Sequence, residues 1–232
     1  SLSRGGARKS KKSPAPELEK GTFDYIREPK SDCFSVGFAK TDVMPDDMDK
    51  TTYYVAGYRM NNPAKGVLDP MTASAVWIDD LSGRGGVVFV SIDDIGLTNY
   101  DVGIIRDLLA DFKKESGCRS INIMSIHNHA SIDTVGLWGP LPRSGRNKKY
   151  MELLAQKVKQ VVLDAYNDRR DGDLYYSKKE AEAIQRDSRL PEVYSKDVHR
   201  FRFVPKDGSR EIWIINFASH TESLLGKNSY VS

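Results

Sequence analysis

The chain has 232 residues, 39% hydrophobic and 29% charged, with a net charge of +3, which fits an ordinary globular protein of one large domain or two small ones. No apolar run approaches the length of a membrane span, and Cys33 and Cys118 are too few for a disulfide framework, although a single bridge between them stays open. Much of the positive charge lies in Arg4, Arg8, Lys9, Lys11 and Lys12, with no acid among the first twelve residues, so the body of the chain is near neutral and carries no electrostatic footprint for nucleic acid.

Residues 1–20 are rich in Ser, Gly, Lys and Pro and read as a disordered basic arm. The arm could make peripheral contact with an anionic membrane, but a solvated tail is the simpler reading. No signal peptide is visible, and a start at Ser rather than Met leaves a leader ahead of it open. The segment CFSVGFAKTDV (33–43) alternates like a strand, and Pro45 with two aspartates closes it. NNPAKG (61–66) is a turn by composition. Met71 to Ile78 reads as a strand, SGRGG (82–86) as a hairpin or tight loop, and VVFVSI (87–92) as a strand buried on both faces. Asp93 and Asp94 stand at its C-terminal end.

From Asp101 to Glu115 the apolar positions Ile104, Ile105, Leu108, Leu109 and Phe112 repeat at helical spacing, and Gly117 is placed to cap that helix. The strand that follows, 119–126, completes a strand–helix–strand crossover, so the two strands are expected side by side and parallel. A second helix is expected over 147–166, with Met151, Leu154, Val158, Val161, Val162 and Ala165 on its buried side. Further strands are expected at 173–177, 198–204 and 211–217, the last a densely apolar EIWIINF that looks buried.

The stretch INIMSIHNHASIDTVGLWGP (121–140) carries the chemistry. It delivers His127 and His129 at a strand end, where alternation puts both imidazoles on one face and Asn128 on the other. Paired imidazoles suit a borderline cation such as zinc, although the same spacing also describes a solvated strand end. The crossover would bring Asp93, Asp94, His127 and His129 to one sheet edge, where open α/β sheets place their ligands. Another apolar strand ends in Ala218-Ser219-His220, and a second strand end bearing a histidine strengthens the case for a site. Asp93 either orients an imidazole or serves as a cap or turn residue, with the second favoured. His199, flanked by arginines, reads as a surface strand residue, and Trp138 as ordinary packing.

Four segments together resemble the neutral/alkaline (non-lysosomal) ceramidase family. SIHNHASIDTVGLWGP looks like its H-x-H segment, and VGFAKTDVMP like its opening strand. AGYRMNNPAKGVLDPMTASAVWIDD with VVFVSIDDIGL resembles the next two stretches, and INFASHTESLLGKNSYVS a later one bearing another histidine. They fall in the family's order over residues 33–232.

The resemblance implies an α/β fold of mixed, partly parallel sheets with flanking helices in several layers, with 21–232 the N-terminal part of a ceramidase-like metallohydrolase domain. It implies a zinc-dependent hydrolase that cleaves an amide in a ceramide-like or other N-acyl substrate through metal-activated water. His127 and His220 match the zinc-binding histidines. His129 matches a histidine beside the metal that contacts the scissile group, and whether it binds the ion itself stays open. Arg189, in QRDSRLP, is the better match to a substrate-contacting arginine, with Arg186 as the alternative. The family's other ligands, a Glu and a Tyr, lie beyond the matched segments, so a further part of the protein or a second chain is expected to complete the site. A secreted or cell-surface location follows from the family alone. The turn after the histidines lacks the family's Gly/Pro-rich loop on the substrate side, which leaves another bond such as an ester open, and the absent Glu and Tyr leave a non-catalytic ligand-binding module of the same fold as a second alternative.

Overall fold

A computed structural model of the protein describes residues 32–220 and 222–232; the basic arm expected over 1–20 lies outside them. A seven-stranded mixed sheet, ordered β4-β3-β2-β1-β5-β6-β7, forms the frame. Strands β1 (Phe34–Asp42), β2 (Thr72–Asp79) and β3 (Val87–Ile92) pair antiparallel in succession, and β3 pairs parallel with β4 (Ser120–Ser125). The parallel pair is joined by α1 (Asn99–Leu108) and α2 (Ala110–Ser116), as the strand–helix–strand pattern requires. The single helix expected here is two, because the fully buried Leu109 sits in a tightened turn with its N–H on the Arg106 carbonyl. A capping box at Thr98 and Asp101 starts α1. Gly117, with φ 68°, ends α2 in the left-handed conformation expected of a glycine cap.

The helix α3 (Lys148–Asn167) starts on Asn147, whose side chain accepts from the Tyr150 N–H. It lays Leu154, Val158, Val161, Val162 and Ala165 on the sheet, while Met151 of the expected stripe is partly buried. All the helices use one sheet face, meeting Ala73, Ala75, Trp77, Val88, Val90 and Ile92 there. Each large side chain removed from water at this interface contributes roughly 1.5–3 kcal/mol. Trp77 stands edge-on to both Phe112 and Tyr166. Helix and strand approach so closely at Gly37 that an added Cβ would lie 2.0 Å from the Ala165 carbonyl oxygen. Cys33 and Cys118 are both buried and are not joined to each other.

The remaining strands form an antiparallel ribbon, β5 (Arg170–Glu180), β6 (Asp197–Pro205) and β7 (Ile212–Phe217). It joins the frame through a short contact, Phe34–Val36 against Arg170–Gly172. A second apolar cluster, Val36, Val76, Phe203 and Ile212, fills the face away from the helices. Here the sequence expectation needs correction: EIWIINF is not a buried central strand. β7 is an edge strand with Trp213 48% and Ile215 64% exposed. Its apolar residues lie beyond the helix-covered half of the sheet. The guanidinium groups of Arg200 and Arg202 cover the Trp213 ring instead, at 4.8 and 5.8 Å from its centroid.

Asp94, at the end of β3, is 1% exposed, and neither carboxylate oxygen has a hydrogen-bond partner of good geometry among the described residues. Burial pushes its pKa from 3.8 up to about 7, with the nearby Ser125 hydroxyl opposing the shift less strongly. The folded state therefore holds this proton more tightly than the unfolded chain does. Stability is greatest below the unfolded value, falls as the pH rises, and has lost the full amount once the folded group is ionised. Asp94→Asn should be close to neutral in unfolding free energy near pH 4 and stabilising by roughly 4 kcal/mol above pH 8. Denaturant unfolding of both proteins across that range reads the difference directly.

Candidate metal centre

The parallel register of β3 and β4 brings both C-terminal ends to one sheet edge, and the pairing continues past the strands. The Ile126 N–H donates to the Ile92 carbonyl at 3.0 Å and the Asn128 N–H to the Asp94 carbonyl at 2.9 Å. His127 is not a strand residue, contrary to the alternation argument: β4 ends at Ser125, and His127 takes φ 63°. A non-glycine residue held in that region costs about 1–3 kcal/mol and persists where its surroundings fix it. Here the imidazole fixes it, with Nδ1 2.7 Å from the Ile95 carbonyl oxygen. A carbonyl can accept but not donate, so Nδ1 carries a hydrogen, and in the neutral ring Nε2 then keeps its lone pair.

Asn128 does point away from the histidines. Its amide donates to Asp93 Oδ1 at 2.7 Å and to the Ser232 carbonyl, and its oxygen accepts from the Ala130 N–H at 2.9 Å. Asp93 thus sits in the turn after β3, in keeping with the favoured reading, while the cap of α1 falls to Thr98; among the described residues its carboxylate is bonded to no imidazole and instead holds Asn128, the residue between the two histidines. The buried Asp133 carboxylate accepts from the N–H groups of Val135, Gly136 and Trp138, which sets the following loop.

His129 is packed against the backbone at Gly57, whose φ is 113°, and a Cβ there would stand 2.7 Å from the ring. The Tyr58 ring meets it edge-on at 5.0 Å. His220 arrives from the far end of the chain beyond β7, where the Gln185 side chain donates to the Ala218 carbonyl. The three histidines converge. Nε2 of His129 lies 3.1 Å from that of His127 and 2.8 Å from that of His220, and the three candidate ligand nitrogens all fall within 4.8 Å of one another. His127 and His220 are exposed and His129 half-buried, so the group is open on one side. The fourth histidine, His199, stands apart on β6 with its Nδ1 2.8 Å from the Tyr176 hydroxyl.

These residues fit a zinc ion. Tetrahedral zinc with Zn–N near 2.0–2.1 Å keeps its nitrogens roughly 3.3 Å apart, and the separations of 3.1 and 2.8 Å from His129 Nε2 are a few tenths of an ångström shorter, within a slight spreading of the rings. The donors must be unprotonated, and burial holds the His129 pKa below its ordinary value, reinforced by His220 and His127 and opposed by Glu222. Arg189 sits in an exposed loop with its backbone N–H on Asp187, and the hydrogen bonds of the three imidazoles among the described residues do not include it.

Gly57, Tyr58, Asp133 and Glu222 escaped the sequence reading. Asp133-Thr-Val-Gly136 carries a visible Asx-type turn signal, and Glu222 follows His220 by two residues. Gly57 and Tyr58 had no local signal, because their partner is distant in the chain. Gly57→Ala should lower stability by about 1–3 kcal/mol through overpacking at a backbone angle that disfavours alanine, and should weaken zinc binding as the His129 ring is displaced. Gly103→Ala, in open space within α1, is the control and should stabilise by up to about 1 kcal/mol. Thermal unfolding and zinc titration of both variants check this.

No family model matches the chain, and no curated protein sequence does. The fold, however, is similar to solved structures of ceramidases. One is neutral ceramidase from Pseudomonas aeruginosa, with a TM-score of 0.67 and 15% identity over 86% of this chain and 34% of that one. Another is a ceramidase complexed with C2, with a TM-score of 0.67 and 15% identity over 86% of this chain and 33% of its own. The chain spans about a third of the length of these neighbours, and at this identity what they share with it is the α/β fold.

Proposed function

We propose that the protein is a zinc-dependent hydrolase acting on the amide bond of a ceramide-like or other N-acyl substrate, with His127, His129 and His220 holding the ion. The observation that carries this reading is the meeting of three imidazole nitrogens from two distant parts of the chain at one open sheet edge. It is supported by the fold likeness to ceramidases and by the four ordered segments that resemble that family.

When bound, zinc supplies Lewis acidity, which lowers the pKa of water toward neutrality and polarises a carbonyl. The chain's own residues do the rest. His127, locked by the Ile95 carbonyl, presents a fixed lone pair. His129, whose Nε2 lies within 3.1 Å of both partners, is assigned as the third nitrogen of the site rather than as a separate proton carrier. The exposed sides of His127 and His220 leave the approach from solvent free for a substrate carbonyl. Arg189 is assigned to the substrate on the strength of the resemblance. Its guanidinium could fork onto a hydroxyl or anionic group, and its loop is tied to the His220 segment through Gln185.

Metal analysis and an N-acylsphingosine hydrolysis assay test the proposal together. Zinc-replete wild type should carry one zinc per chain and release fatty acid. His127→Ala should lose zinc affinity by at least tenfold, with turnover lost in parallel. Absence of zinc from wild type overturns the reading. Stoichiometric zinc without turnover of any amide or ester substrate would replace it with a binding module.

A further inference from the structure

We infer that Glu222 is a positioning residue: its carboxylate, placed between the Nδ1 atoms of His129 and His220, holds both rings so that their Nε2 lone pairs face the shared centre. Oε1 lies 3.6 Å from Nδ1 of His129 and 3.5 Å from Nδ1 of His220. Both distances are longer than a hydrogen bond, so the carboxylate must shift by a few tenths of an ångström to accept from either N–H. The inference rests on reading the three imidazoles as a cation site, and it adds what orients two of them.

Each imidazole that gives Nε2 to a cation must keep its hydrogen on Nδ1, and that N–H needs an acceptor. His127 has the Ile95 carbonyl. Nδ1 of His129 is buried and has no hydrogen-bond partner of good geometry among the described residues, which is costly for a donor. Glu222 is the acceptor beside it, and the same oxygen stands beside His220. Tyr58 packs edge-on against the same His129 ring, and burial together with the charge of the neighbouring Glu222 carboxylate raises the pKa of its hydroxyl, so the three side chains lie side by side. Glu222 is not a fourth member of the converging set: the grouped ligand atoms belong to the three histidines, and Oε1 approaches the rings at Nδ1 rather than Nε2. An ordinary surface ion pair would contribute little. The part assigned here is instead a choice between tautomers of neutral rings, and the His129 side chain is 11% exposed.

The test compares wild type, Glu222→Ala and Glu222→Gln as full chains. Nitrogen NMR of labelled imidazoles in the metal-free proteins reads tautomers, and competition with a chromophoric chelator reads zinc affinity. In Glu222→Ala the share of Nδ1-protonated form should fall at His129 and His220 while His199, remote on β6, keeps its signature. Zinc should bind about 10–100-fold more weakly. Glu222→Gln, which keeps an acceptor oxygen at the same reach, should restore the wild-type imidazole pattern. Unchanged His129 and His220 spectra in the alanine variant overturn the inference, as does a disturbance that extends to His199. If wild type binds no zinc, the cation reading falls by itself, and the imidazole spectra still decide the role of Glu222.

Discussion

The site depends on the parallel register of β3 and β4 being carried beyond the ends of both strands. Two backbone bonds, from Ile126 to Ile92 and from Asn128 to Asp94, extend the ladder. Two side-chain bonds, from His127 to the Ile95 carbonyl and from the Thr134 hydroxyl to the Gly96 carbonyl, extend it further. This staple makes a left-handed backbone at His127 tolerable and turns one ring nitrogen outward. Parallel pairing is what makes it possible, since it puts the loops after both strands at the same edge. An antiparallel partner would have sent the 93–96 segment to the opposite end of the sheet.

Local signals in the sequence were sufficient for the frame. Helical spacing from Asp101 onward, the glycine at 117 and the apolar runs on either side determine a crossover with little help from the rest of the chain. The α3 stripe was equally readable, because a 3.6-residue period needs no knowledge of what it packs against. The misreadings share a cause. EIWIINF has the composition of a buried strand, but exposure is set by what lies across from it, and no helix reaches that far. His127 was placed on the correct edge for an incomplete reason: the pair spacing suggested strand alternation, whereas a turn aims the ring. Glu222 and Tyr58 acquire meaning from His129, many residues away, and such pairings are invisible without the fold. Asp94 reads as a polar strand end, yet it is buried with only the Ser125 hydroxyl nearby to offset the loss of water, and no hydrogen bond of good geometry among the described residues.

Topology makes the meeting of His127 with His220 a demanding one. β4 and β7 are the two outer strands of the sheet. Six inter-strand spacings in a flat sheet would separate them by roughly 29 Å, yet the rings that follow these strands stack with centroids 4.7 Å apart. The sheet must therefore curl, and the joint between β1 and β5 is where it can. That pairing spans three residues of each strand, against the nine-residue register between β5 and β6. Beyond it the ribbon leaves the frame, and the cluster of Val36, Val76, Phe203 and Ile212 glues it to the face opposite the helices.

A cation at the three histidines would thus do more than chemistry. It would tie residues 91 apart in sequence, His129 and His220, and so clamp the ribbon onto the frame at the end remote from the short β1–β5 joint. Binding that requires the curled arrangement stabilises it by mass action, in proportion to the logarithm of ion concentration over the dissociation constant. The apolar cluster and the ion are then two fasteners on the same ribbon. The cluster is present in the chain alone, while the ion adds its share when the imidazoles are unprotonated and correctly turned. Orientation of the rings by Ile95 and Glu222 lowers the entropy lost when the ion arrives, which makes the curl of the sheet and the chemistry of its edge parts of one equilibrium.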